Sequence, residues 1–203
     1  MVVDIKLSKD LKRADDITGE YISDCLFSNV ALKGYYPYTE IYRSKFSSCN
    51  FSSVVFQGLD LMGCIISSSN LTNLELVNHS YQRIIFEHCN LMGINFSDSY
   101  LENISFIECN LSYSNFSNTK ISNVEFVDCL MRDSSFFEVK WKKLSFCQCD
   151  LEESEFVKTN LSQLDFSTCN ITNIKIPLLQ MKGLEVNYEQ AVALALLLGI
   201  KIK

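Results

Sequence analysis

From Ile41 to Ile176 every fifth residue is large and apolar, with no insertion and no slip. A helix repeats its apolar face every 3.6 residues and a strand every two, so neither element writes this pattern. Two residues before each member of the series sits a second restricted position. From Thr39 to Ile174 it holds Ser, Thr, Cys, Val, Leu or Ile, apart from His79. Every Asp, Glu, Lys and Arg between residues 39 and 178 falls on the other three positions of the five. Random placement would give such exclusion with odds on the order of 10⁻⁶. Each five-residue unit therefore turns two side chains inward and three outward.

A longer period lies over the short one. Cys49, Cys89, Cys109, Cys129, Cys149 and Cys169 recur at multiples of twenty residues, with Ser69 filling one gap. Phe86, Phe106, Phe126, Phe146 and Phe166 form a second such series. Four fives then make one coil, and equivalent residues stack from coil to coil. The expectation is an all-β square solenoid of about seven coils, roughly 34 Å long at the usual spacing of strands.

The ends read differently. Residues 1–20 are expected to cap the first coil, and 21–178 to form the solenoid, regular from 39. Between 21 and 39 the frame is blurred by Gly34 and Pro37, which reads as an imperfect first coil. Residues 179–203 are expected to hold a short capping and dimerisation α-helix followed by a terminal strand. Asn187 with Gln190 resembles a capping box, and Gly199 suits the position just past a helix. That helix is apolar nearly all round after its first turn, so it needs burial on two sides. One side covers the last coil. The other, drawn from Tyr188, Val192, Leu194, Leu196, Leu197, Leu198 and Ile200, is the candidate surface for a homodimer.

The recurring small residue, Asn, then Leu or Ile in Cys89-Asn-Leu91, Cys109-Asn-Leu111 and Cys169-Asn-Ile171 resembles the pentapeptide-repeat proteins. The resemblance implies a right-handed quadrilateral parallel β-helix. The stretch Ser135-Phe-Phe-Glu-Val-Lys-Trp-Lys-Lys-Leu144 and the ending from Gly183 to Gly199 resemble, more narrowly, the Qnr-type quinolone-resistance proteins of Gram-positive bacteria. That likeness implies DNA gyrase or topoisomerase IV as partner, protection from quinolones, and the same C-terminal dimer.

Composition narrows the classes. The 203 residues are 47% hydrophobic with only 2 Pro and 7 Gly, which excludes a disordered chain. A net charge of −6 speaks against direct nucleic-acid binding. The N-terminus lacks an apolar signal core, and the longest apolar run, 191–198, is too short for a bilayer. A cytoplasmic protein with reduced cysteines is expected, with no membrane partner. His79 takes an inward position and reads as a core histidine. Cys147 points outward and Cys149 inward, so they do not form a metal pair. No phosphate loop or nucleophile elbow is present. The expectation is a non-enzyme with no cofactor, metal or catalytic residue.

Between residues 85 and 169, outward charges sort by side of the square. The side built on Phe86 to Phe166 carries Glu87, Glu108, Glu125, Asp128 and Asp165 with no Lys or Arg. Its neighbour carries Asp133, Asp150, Glu152 and Glu153 against Arg132. A third carries Asp98, Glu138 and Glu155 against Lys158, and the fourth Glu102 against Lys120, Lys140, Lys142 and Lys143. The first two sides form an acidic ridge, the candidate partner surface. Such a surface reads either as a solvated face that keeps the rod soluble or as a narrow negative rod that imitates the phosphate backbone of duplex DNA. The alternative reading is a scaffold solenoid that binds another cytoplasmic protein, through the basic strip around Trp141.

Overall fold

Pairing between positions twenty residues apart organises the structure, a computed structural model that describes residues 3–197 and 199–201. The strands Ser80–Glu87, Tyr100–Ile107, Lys120–Val127 and Lys140–Cys147 lie side by side in parallel. Leu101 pairs with Ile121, and Phe106 with Phe126. Each strand covers two sides of the square. The other two sides are short turns held by single bridges, such as Asn90 to Asn110 and Asn95 to Asn115. The result is a mostly-β parallel solenoid with one short C-terminal helix.

The corners explain the five-residue step. Two residues after nearly every inward Phe or Leu, the backbone takes a positive φ: 53° at His88, 54° at Asn103, 57° at Asn123, 58° at Lys143. That left-handed conformation turns the chain onto the next side, and Asn, Asp and Gly adopt it most readily. Asn and Asp occupy many of these corners, among them Asn73, Asn78, Asp98, Asn118 and Asp128.

The same marker corrects the reading of residues 21–39. Positive φ recurs at Gly19, Asp24, Asn29 and Gly34, again every five residues, and then at Tyr38 after only four. The matching inward residues, Ile17, Ile22, Phe27 and Leu32, are all buried. The first coil is thus regular and displaced by one position. Ile22 pairs with Ile41 and Phe27 with Phe46, and the missing residue is absorbed by a register shift between Ala31 and Lys33. Gly34 is a corner of that frame, not a disturbance of it.

Two columns of phenylalanine fill the core. Phe86, Phe106, Phe126 and Phe146 stack with ring centroids 4.8 to 5.1 Å apart. Phe116, Phe136 and Phe156 stack on the opposite side at 4.9 and 4.7 Å. The columns meet edge to face, as between Phe126 and Phe136 at 90° and 6.0 Å, the geometry that ring quadrupoles favour. Trp141 departs from the expected inward placement. The ring is half-buried, and its N–H donates to the Asn160 carbonyl at 2.6 Å. His79 is also half-buried rather than in the core, its Nδ1 3.7 Å from an Asp60 carboxylate oxygen.

The small inward residues have a polar task as well as a steric one. The thiols of Cys109, Cys129 and Cys149 donate to the carbonyls of Phe86, Phe106 and Phe126 at 3.4 to 3.5 Å. Ser99 and Ser154 donate their hydroxyls to Leu76 and Met131 at 2.9 and 2.6 Å in the same manner. All nine cysteines are free thiols. Burial pushes the Cys64 thiol up to about 11, which leaves it unreactive near neutral pH.

The helix Tyr188–Leu197 closes the far end. Asn187 Oδ1 accepts from the Gln190 amide at 3.0 Å, and Gln190 Oε1 accepts from the Asn187 amide at 2.8 Å, a complete capping box. Gln190 also donates its side-chain amide to the carbonyls of Phe166 and Cys169 at 2.8 and 2.7 Å, joining helix to solenoid. At the helix end Gly199 has φ +75, and the amides of Gly199 and Ile200 bond back to Leu196 and Ala195, a Schellman motif. No strand is present at residues 200 and 201, and the remainder of the expected terminal strand lies outside the described residues.

Phe126→Ala is expected to cost about 3–5 kcal/mol in chemical denaturation, because both ring stacks of that column are lost. A loss below about 1 kcal/mol would contradict the column. Gln190→Leu strands the carbonyls of Phe166 and Cys169 and the Asn187 amide, and should cost about 1–3 kcal/mol in the same measurement.

Candidate functional site

Corner geometry decides which acidic side chains stand free of the wall. Glu108 and Asp128 occupy the same corner of successive turns, with φ 50° and 52°. Asp133 and Glu153 do so on the next edge, at 55° and 60°. A shallow open groove lined by His88, Asn90, Glu108, Asn110, Asp128 and Leu130 runs along the first edge. Asp128, Asp133 and Asp165 are exposed, and none of them makes an ion pair among the described residues. Hydrogen bonds from Ser167, its hydroxyl first and its amide second, hold the Asp165 carboxyl below its usual range and keep it ionised.

The expected ridge, the corners Glu108 and Glu153 included, is more neutral than its count of charges. Arg132 reaches Asp150 at 2.6 Å and Glu152 at 3.3 Å. Lys175 reaches Glu153 at 3.3 Å. His88 lies 3.3 Å from Glu108 and 3.9 Å from Glu87. Glu125 leaves the ridge altogether: it is 8% exposed and accepts a hydrogen bond from the Ser105 hydroxyl at 2.6 Å. Sorting by side missed these partners, although the register could have found two of them: His88 and Glu108 are twenty residues apart. Arg132 and Glu152 are twenty residues apart and so occupy one position on adjacent turns.

The basic strip is assembled as the repeat implies. Lys120 pairs in register with Lys140, and Lys140, Lys142 and Lys143 are exposed around the half-buried Trp141. Lys158 belongs to the next side, where it pairs with Glu138 and lies 4.9 Å from the centre of the Phe137 ring.

At the C-terminal end the helix uses its two sides differently. Leu194 packs half-buried on the solenoid core, so it serves the cap. Val192 is half-buried. Tyr188 is 82% exposed, Leu196 56% and Ile200 53%, with Leu178 and Leu179 exposed on the preceding turn. Leu198 lies outside the described residues. Among the described residues no group of His, Cys, Asp and Glu could hold a metal ion, and no helix is long and apolar enough to cross a membrane.

No curated protein matches the chain significantly. Among solved structures, full-length QnrB1, a plasmid-mediated fluoroquinolone resistance protein, is 23% identical and covers 93% of this chain and 96% of its own, with a TM-score of 0.32. HetL, a pentapeptide repeat protein involved in heterocyst differentiation regulation from the cyanobacterium Nostoc sp. strain PCC 7120, is 13% identical over 85% of this chain and 87% of its own, with a TM-score of 0.40. Likeness at this level carries no partner across. Residues 79–156 match the family model of the pentapeptide repeat region. Residues 43–78 and 142–173 match that of pentapeptide repeats in 8 copies. These matches take in well over half of the chain, in the frame that the corners and the paired turns obey, and the chain belongs to the pentapeptide-repeat family.

Proposed function

We propose that the protein is a non-catalytic, dimeric imitation of duplex DNA that docks in the cytoplasm on a type II topoisomerase, DNA gyrase or topoisomerase IV, and protects it from quinolones. The observation that carries this reading is the corner array of Glu108, Asp128, Asp133 and Glu153, carboxylates held at fixed spacing along two edges of a narrow rod. Successive turns lie about 4.8 Å apart, whereas duplex DNA presents a charge about every 1.7 Å of its axis. The rod is therefore sparser in charge than DNA, and it would fill a basic saddle with fewer contacts. The Qnr-type resemblance of residues 135–144 supports a topoisomerase as the owner of that saddle. The exposed Tyr188, Leu196 and Ile200 support a homodimer through the C-terminal helix. Exposed Lys140, Lys142 and Lys143 beside Trp141 favour a second reading, a scaffold that takes an acidic partner protein on the opposite side.

In a gyrase supercoiling assay poisoned with quinolone, micromolar protein should restore activity. The double variant Glu108→Lys, Asp128→Lys should need at least about tenfold more protein, as expected when two like-signed contacts are reversed. Absence of both protection and inhibition by the natural sequence would contradict the proposal. For the dimer, Tyr188→Glu with Leu196→Glu should yield folded monomers in sedimentation, because both side chains face away from the solenoid. Leu194→Glu should instead lower the melting temperature through loss of the cap. Unchanged sedimentation of the double variant would argue for a capped monomer.

A further inference from the structure

Residues 3–11 fold back over the solenoid. The Val3 amide donates to the Ser105 hydroxyl at 3.1 Å, while Lys12 pairs with Cys25 at the far end of the sheet. Five turn-to-turn steps separate those two points, about 24 Å at the usual strand spacing. The nine residue steps from Val3 to Lys12 span about 30 Å when extended, so this segment crosses the turns almost straight. Its burial alternates as it does for a strand lying on a surface. Val3, Ile5 and Leu7 are half-buried, whereas Asp4, Lys6 and Ser8 are exposed.

The surface along that path differs from the rest of the solenoid. By register, Leu26, Lys45, Ile65, Ile85, Ser105 and Glu125 form one outward column, and three of its members are aliphatic. Ser105 is 0% exposed and Glu125 8%. Among the described residues, no other residue at this outward position of the repeat is buried. Farther along the same column Ser145 and Asp165 are exposed, so the cover ends at the turn of Glu125.

We propose that this column is a binding groove for an extended peptide, filled in the structure by residues 3–7. The chemistry specifies the ligand: aliphatic side chains at alternate positions for Ile65 and Ile85, a backbone amide for the Ser105 hydroxyl, and a positive charge on the amino side. That last feature follows from direction. The segment runs with its amino side toward Glu125, whose carboxylate accepts from the Ser105 hydroxyl and so strengthens that hydroxyl as an acceptor for the peptide amide. A partner segment of this pattern competes with the chain's own residues, which are present at an effective concentration in the millimolar range. The inference does not rest on the topoisomerase reading.

A fluorescent peptide of the sequence of residues 3–11, with a free or an acetylated amino end, tests it by anisotropy on full-length chains. The variant Ile5→Asp, Leu7→Asp empties the groove without touching the solenoid core. It should bind the free-amine peptide at least tenfold more tightly than the natural chain does, and acetylation should weaken that binding several-fold. Adding Ile85→Glu should abolish it. Trypsin should cut the variant after Lys6 and Lys9 at least tenfold faster than the natural chain. A variant with an unchanged melting temperature that binds no peptide would overturn the groove. Equal binding, or equal cleavage, of the two chains would overturn its occupation by residues 3–7, and indifference to acetylation would remove Glu125 from the recognition.

Discussion

The backbone pairing of each five-residue step with the step twenty residues away is the constraint on which everything else in this molecule depends. The amide of Asn90 bonds to the carbonyl of Ser69 at 2.9 Å, and the amide of Leu91 to Asn110 at 2.7 Å, so one residue after another ties a turn to both neighbours. To keep that ladder in register around a square, the chain must change direction every five residues. It does so by holding one residue in the left-handed region, at a cost of roughly 1–2 kcal/mol for most side chains and less for Asn, Asp and Gly. Ring stacking in the Phe columns and the satisfied inner carbonyls offset that cost turn by turn.

The surface inherits the same order. Side chains twenty residues apart stand about one strand spacing from each other, so a charge faces whatever the next turn carries. Arg132 meets Glu152 and is largely neutralised. Glu108 meets Asp128, and Lys120 meets Lys140, so like charges stack. Like charges directly opposite one another are destabilising, and exposure to water keeps that penalty small. A partner of opposite charge would relieve that repulsion.

The core was legible in the sequence because inward positions admit neither charge nor large polar groups. Phe86 through Phe166 could be placed without coordinates. The first coil was not, because a scan in one phase cannot see a frame displaced by a single residue, although Gly19, Asp24, Asn29 and Gly34 mark its corners. The cap was readable from Asn187 and Gln190, but not the reach of Gln190 to the carbonyls of Phe166 and Cys169, which requires the turn geometry. The ridge was half legible. Counting charges by side found Asp128 and Asp165, but the burial of Glu125 and the pairing of Asp150 with Arg132 depend on contacts across turns.

Imitation of DNA makes a demand on binding that no other reading makes: the protein and duplex DNA must exclude each other. Titrating duplex DNA into a complex of this protein with purified gyrase, at low and at physiological salt, measures that exclusion directly. DNA is expected to displace the protein, and the protein's own affinity to fall as salt rises, because the contacts are ionic. Simultaneous binding of both, or an affinity unmoved by salt, would contradict the imitation.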